Sequence, residues 1–272
     1  MGQLELRALS YRRHAAMRWQ RFRDYHFAAD QSIVPLAAAE LPRAVGELPI
    51  AFAAQGESYA LTAVLGRGPG ENLYVGSDGR WQGRYVPAHL RGHPFYLAET
   101  GARRWVVAVD EGSGLVADEG EALFSAEGQP SQALAPVIRF LEQLARARAA
   151  TERACAQLAE CELLEPWPVV LPEDGGGSQR RGGLYRVRES SLGALDREKL
   201  AQLHLSGALR VAYAQLLGQQ AMRRLASLAR RRNDPRSGSP MPEVTAIFGE
   251  DPLEQQIDWD QLSLDEKDDF AS

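Results

Sequence analysis

The hydrophobic period of this chain changes at Gly128-Gln129-Pro130, and that change constrains the fold more than any other feature. Before it, apolar residues come in short runs punctuated by turn residues. LPIAFAA (48–54) and YALTAVLG (59–66) flank QGES, NLYVG and RWQGRYV flank Ser77-Asp78-Gly79, and WVVAVD (105–110) is a continuous apolar run. Short apolar runs bounded by Gly, Asn and Asp are the pattern of strands, and Asp-Gly between two of them marks a hairpin. After the change, Leu134, Val137, Ile138, Leu141, Leu144 and Ala145 recur at helical spacing. Pro136 belongs in the first turn, because deeper in a helix proline removes a hydrogen bond and clashes. The helix therefore starts near Gln132 and ends before Pro166.

The connecting segments follow from the same rules. LAAAEL, between Pro35 and Pro42, reads as a short helix or turn, and PEDGGGSQRRGG (172–183) as a flexible loop. Asp196 is placed to cap a helix, with Leu195 and Leu200 as a hydrophobic staple. Ser206-Gly207 bends or ends that helix. Leu209, Tyr213, Leu216, Leu217 and Leu225 form the apolar side of a further helical stretch, closed by Arg230, Arg231 and Arg232 where cations suit the helix dipole. The expected fold is α+β: a mainly antiparallel strand-rich part over 45–125, a helical part over 131–232, one body over 1–232, and an acidic flexible tail over 233–272. Sequential hairpins set the antiparallel expectation.

Charge sharpens the boundary. The net charge is −5, yet residues 243–272 hold ten acids and one lysine, a net of −9, so the rest carries +4. A folded part so weakly basic argues against nucleic-acid binding. The 44% apolar content is that of a globular chain rather than a disordered one. No run of 18 apolar residues is present, so no membrane span is expected. The basic N-terminus, with Arg12-Arg13, lacks the apolar core of an export signal. Cys155 and Cys161 lie six residues apart in a helical pattern, about 9 Å of rise and too far for a disulfide. Reduced cysteines fit a cytoplasmic protein.

Chemistry-bearing residues concentrate in DGRWQGRYVPAHLRGHPFYLAE (78–99). His89 and His93 are four apart, a spacing that pairs ligands on a helix, and Asp110, Glu111 or His26 are the available third ligands. Pro87 and Pro94 bracket the histidines and disfavour a helix there. No metal and no cofactor is expected. Trp81, Arg84, Tyr85, Arg91 and Phe95 alternate cation and aromatic, which suits either stacked ligands or a strand with aromatics inside and arginines at the rim. Trp81, Arg84, Arg91 and Asp110 are the candidate ligand-binding residues. GRGPGEN (66–72) enters an apolar run rather than a helix and is not a phosphate loop. Ser113 and Ser131 lack a nucleophile-elbow motif. In the tail, Leu253, Ile257 and Trp259 are candidate docking residues within an otherwise solvated acidic segment.

Several separated motifs together resemble the bacterial SapC family, named for surface-array (S-layer) gene clusters. They are PIAF (49–52), GENLYVGSDGRWQGRYVPAHLRGHPF (70–95), VDEGSG (109–114), LFSAEGQPS (123–131), LLEPW (163–167) and LDREKLAQLHLSGALRVAYAQL (195–216). The resemblance covers roughly 20–225 and implies no catalytic residues. The leading expectation is a non-catalytic binding or accessory protein of this type, serving a surface-layer, uptake or modification system and engaging a protein partner, with the tail as one route. The alternative is an enzyme or enzyme subunit with a site near Trp81, His89, Arg91, His93 and Asp110.

Overall fold

The computed structural model describes residues 5–100, 104–172 and 177–233. Short elements come first: strand β1 (Leu6–Ala8), helix α1 (Tyr11–His14), strand β2 (Arg18–Trp19), strand β3 (Ile33–Pro35) and helix α2 (Leu41–Ala44). LAAAEL is a 3-10 turn, Ala38–Glu40, running directly into α2. Pro42 sits in the first turn of α2, where its missing N–H has no helical partner to lose. Strands β4 (Ile50–Gln55) and β5 (Ser58–Val64) form the antiparallel hairpin expected around QGES.

NLYVG and RWQGRYV do not become strands. Only Val75 and Trp81 bridge across the Ser77-Asp78-Gly79 turn. The Asn72 side chain captures the Tyr74 N–H at 2.9 Å, and the Asn72 N–H goes to the Ala29 carbonyl, so no ladder propagates. Helix α3 (Ala88–Arg91) follows Pro87, where a loop was expected, and holds only one turn. Strands β6 (Phe95–Thr100) and β7 (Arg104–Asp110) pair antiparallel, and β1 joins the other edge of β7. Two-residue strands β8 (Val116–Ala117) and β9 (Glu121–Ala122) flank β2.

Helix α4 (Leu134–Glu160) starts within two residues of Gln132 and ends before Pro166, as expected. Ser131 Oγ accepts the Leu134 N–H and sets the start. The first half of α4 packs Leu134, Val137, Phe140, Leu141 and Leu144 with Trp19, Phe95 and Val109. Its second half carries Ala154, Cys155 and Leu158 into a larger core with Phe52, Leu61 and Tyr74. One long helix thus ties the β1-β7-β6 sheet to the main sheet.

The separation into a strand-rich front and a helical back does not hold. Strands β10 (Leu164–Pro166), β11 (Val169–Pro172), β12 (Ser178–Arg181) and β13 (Leu184–Val187) interrupt the helices. The main sheet has the order β10-β13-β4-β5-β3, so β4 is central only because β13 returns to its free edge. The 172–183 segment is a β11–β12 hairpin rather than a loop, apart from 173–176, which lie outside the described residues. Its Arg181 guanidinium donates to the Gly66 carbonyl and Ser32 Oγ, both at 3.0 Å, which fixes β12 to the body.

Helices α5 (Glu189–Gly193), α6 (Arg197–Leu205), α7 (Ala208–Gly218) and α8 (Met222–Asn233) complete the chain. Asp196 caps α6 as expected, accepting the Lys199 N–H at 2.8 Å. Gly207, at φ +78°, ends α6 in a conformation that a side chain would strain. Both cysteines are free thiols. Among the described residues, no helix is long and apolar enough to cross a membrane. The segment 234–272, with Leu253, Ile257 and Trp259, lies outside the described residues.

Candidate functional site

The Asp78–Glu99 segment folds inward around one carboxylate that sequence reasoning did not single out. Glu40, 1% exposed, is delivered by the 3-10 turn before α2. Its Oε1 accepts from the Tyr85 hydroxyl at 2.8 Å and from the Ala88 N–H at 2.6 Å, and its Oε2 accepts from the Ala37 N–H at 2.7 Å. Pro87 places the first amide of α3 at this oxygen. A carboxylate removed from water is tolerated only with such partners. Burial and the charge of Glu40 push the Tyr85 hydroxyl far above the ordinary tyrosine value.

A second layer surrounds it. Arg148 of α4 donates through Nη2 to His89 Nδ1 at 2.8 Å, and the charge of Glu40 opposes the cost of burying Arg148. Because guanidinium only donates, His89 accepts and is neutral. Burial, then the Arg148 charge, lowers the His89 pKa to about 3. His93 stacks flat on Phe27, centroids 3.8 Å apart, with Nδ1 3.0 Å from the Tyr96 hydroxyl. Burial lowers the His93 pKa to about 4 although Asp110 pulls the other way. Burial and the Asp110 charge raise the Tyr96 hydroxyl to about 12. A general base works best near the ambient pH, and both imidazoles titrate well below neutrality.

Arg91 is not a rim residue. Its guanidinium lies over the rings of Phe140 at 5.2 Å and Tyr85 at 5.9 Å. Its charge also reaches Tyr25, whose hydroxyl burial raises to about 12. Trp81 stacks on Tyr74 at 5.3 Å, touches Tyr25 at 5.6 Å, and donates its indole N–H to the Tyr85 carbonyl at 2.9 Å. Asp110 ends β7 and caps the following 3-10 turn, accepting from the Glu5 and Gly112 N–H groups at 2.9 and 3.1 Å. The structure therefore brings Trp81, His89, Arg91, His93 and Asp110 into one connected region. Arg84 stays outside it, exposed, with its N–H 3.3 Å from Glu47 Oε2. Glu111 turns away to Arg13 and His14, and His26 pairs with Asp24. Among the described residues, no group of three or more His, Cys, Asp and Glu is arranged to hold a metal ion.

A second feature lies on α7, where the expected apolar side packs only in part: Leu225 is buried and Leu209 and Leu216 touch the core, but Tyr213 and Leu217 do not pack. The helix buries Ala208, Val211, Ala212, Ala214, Gln215 and Gly218. A Cβ on Gly218 would come within 2.9 Å of Ile50 Cδ1, so a glycine permits this close approach to β4. Gln215 locks the helix in place, donating to the Ile50 carbonyl at 3.2 Å and accepting the Val187 N–H at 2.9 Å. The small residues and Val211 pack, and Tyr213 and Leu217 are left outside. On α7 Tyr213 is 52% exposed and Leu217 56%, with Leu209 half-buried, and Leu205 at the end of α6 is 80% exposed. The spacing of four places Leu209, Tyr213 and Leu217 in one stripe along the helix. Helix α8 holds the Asp78 turn: Arg224 donates to the Gln82 carbonyl at 2.8 Å, and Arg232 to the Val75 carbonyl.

A sequence profile of the SapC family matches residues 9–225, four-fifths of the chain and all of both features. The chain belongs to the SapC family. No curated protein and no solved structure matches it. The match ends within α8, so the SapC unit includes the α7 stripe and leaves out the acidic segment.

Proposed function

We propose that this SapC-family chain is a non-catalytic binding or accessory protein that engages a protein partner through the α6–α7 stripe. The observation that carries the reading is the exposure of Tyr213 and Leu217 on α7, whose opposite face is packed, with Leu205 exposed at the end of α6 just before it. Single exposed apolar residues are ordinary, but aligned ones on a rigid element mark interaction surfaces. Aromatic and leucine anchors in such a row are what helix-in-groove partners use. The family's association with surface-array gene clusters gives the setting: a surface-layer, uptake or modification system, served from the cytoplasm. The test is capture of partners from the native cell extract by three full-length proteins: wild type, Tyr213→Glu/Leu217→Glu, and Arg91→Ala. The reading expects one or more proteins retained by wild type and Arg91→Ala and lost from the stripe variant. Retention unaffected by the stripe variant contradicts it.

One observation favours the alternative of an enzyme or enzyme subunit, namely the convergence of Trp81, His89, Arg91, His93 and Asp110. Trp81 and Asp110 bond to backbone, His89 to Arg148 and His93 to Tyr96, which makes the cluster read first as internal scaffolding. Arg91→Ala separates the two. A variant that loses stability through the Phe140 and Tyr85 contacts supports scaffolding; one that melts like wild type and loses a small-molecule ligand supports a site.

A further inference from the structure

We propose that Arg148 of α4 and His89 of α3 together bind the carboxylate of a small organic acid. The site shares no residue with the α7 stripe, so either can hold without the other.

Arg148 has an incomplete set of partners. A guanidinium carries five N–H donors and no acceptor. Among the described residues Arg148 places one of them, from Nη2 to His89 Nδ1 at 2.8 Å. Its Nε–H is buried and has no acceptor. Glu152 lies four residues on, the spacing at which Glu142 and Arg146 form an ion pair, yet among the described residues Arg148 forms none. Glu40 and Glu152 act on it only through their charge, against the cost of its burial. The oxygens of Glu40 are taken by the Tyr85 hydroxyl and the Ala88 and Ala37 N–H groups. Buried charges are ordinarily paired in direct contact, and an orphaned buried donor points to a bound group.

The donors left over suit a carboxylate arriving from solvent. Because His89 Nδ1 accepts, the ring proton sits on Nε2. That Nε2–H and Arg148 Nη1 have no acceptor among the described residues, and neither atom is enclosed by the protein. Both residues are half-buried. Tyr96 is half-buried too, its ring centroid 6.2 Å from that of His89, and stands beside the pair as an aromatic wall. The pair therefore offers one planar cation and one neutral N–H. A carboxylate matches the guanidinium in geometry and in charge, whereas a phosphate dianion brings more charge than one cation offsets. Burial and the Arg148 charge hold the His89 pKa at about 3, so the charge of the site is the same at pH 5.5 and pH 8.

The test uses the full chain labelled with [15N]arginine. The Arg148 Nε–H resonance is assigned by its loss in Arg148→Lys. It is titrated with sodium acetate, with sodium chloride at equal ionic strength, and with sodium phosphate. The expected result is a saturable shift with acetate, with a midpoint on the order of 1–10 mM, about what a ligand of so few atoms can supply. Chloride should give no saturable shift, and phosphate a midpoint at least ~3-fold higher. The acetate midpoint should be the same at pH 5.5 and pH 8. His89→Phe should raise it about five-fold or more, and the acetate-induced rise in Tm should be lost in Arg148→Lys, which keeps the charge but not the fork. An acetate response that is absent, or that chloride reproduces, overturns the inference. So does one that fades as pH rises through about 6.5, the mark of a protonated surface histidine. Tighter binding of phosphate than of acetate overturns the carboxylate class. A Nε–H in steady contact with water and indifferent to acetate assigns the orphaned donor to a structural water and overturns the site. The wild-type titrations and their pH profile decide the matter even where a variant fails to fold.

Discussion

Replacing Glu40 tests whether the inward-folded loop is scaffolding. Three donors converge on this carboxylate: the Tyr85 hydroxyl and the Ala88 and Ala37 N–H groups, at 2.8, 2.6 and 2.7 Å. Glu40→Ala leaves all three buried without an acceptor. Each orphaned buried donor costs ~1–3 kcal/mol, and relaxation recovers part of the total. The expected loss is about 3–6 kcal/mol, close to the cost of breaking a buried ionic contact from one side. In a body of this size that lowers Tm by roughly 6–20 °C. Glu40→Gln keeps an acceptor for Tyr85 and Ala88 but turns an NH2 toward the Ala37 N–H, so it should cost about 1–3 kcal/mol. Tyr85→Phe removes one donor and leaves the oxygen its other bond, at about 0.5–1.5 kcal/mol. Urea unfolding followed by circular dichroism ranks the three. Glu40→Ala within ~0.5 kcal/mol of wild type, or less costly than Tyr85→Phe, refutes the reasoning.

Acid should unfold the protein along a limb set by two histidines. Above the free imidazole value both states are neutral; below it the unfolded chain binds protons that His93 refuses until about pH 4 and His89 until about pH 3. Stability should therefore fall as pH drops from about 6.5, by about 1.4 kcal/mol per unit for each histidine, and His93→Gln should remove one share. Thiol titration of the native protein should count one reactive cysteine, Cys161, because burial raises the Cys155 thiol to about 12; denaturant should release the second. Gly218→Ala should cost about 1–3 kcal/mol by overpacking against Ile50, and Ile50→Val in the same chain should recover part of it, both read by urea unfolding.

How much was legible in the sequence follows from which forces act locally. The β4–β5 hairpin, α4 with Pro136 in its first turn, and the Asp196 cap are decided by neighbouring residues, and all are found where the pattern puts them. Strand β12 is not locally decided: SQRR carries no strand signal, and its pairing with β11 sets it. The same holds for the α+β layout. The mixture is as expected, but strands interleave with helices because β13 pairs with a strand more than a hundred residues earlier. On α7, leucine periodicity and small-residue periodicity are two faces of one helix. Hydrophobicity favours burying Leu209, Tyr213 and Leu217, whereas close approach to Ile50 selects Gly218 and the alanines. Glu40 left one faint signal, a lone acid among LAAA and L, which is poor company for a solvated carboxylate. The family motifs gave membership without roles: GENLYVGSDGRWQGRYVPAHLRGHPF (70–95) helps build the Glu40 region, and LDREKLAQLHLSGALRVAYAQL (195–216) makes α6 and most of α7.

Oxidative footprinting of the full chain, alone and with its captured partner bound, tests the central claim most directly. Leu6, Tyr11 and Val170, exposed apolar residues outside α6 and α7, serve as internal controls. The account predicts that oxidation of Leu205, Tyr213 and Leu217 falls several-fold in the complex while the controls keep their rates. Protection at the controls with the α7 stripe as reactive as before contradicts it.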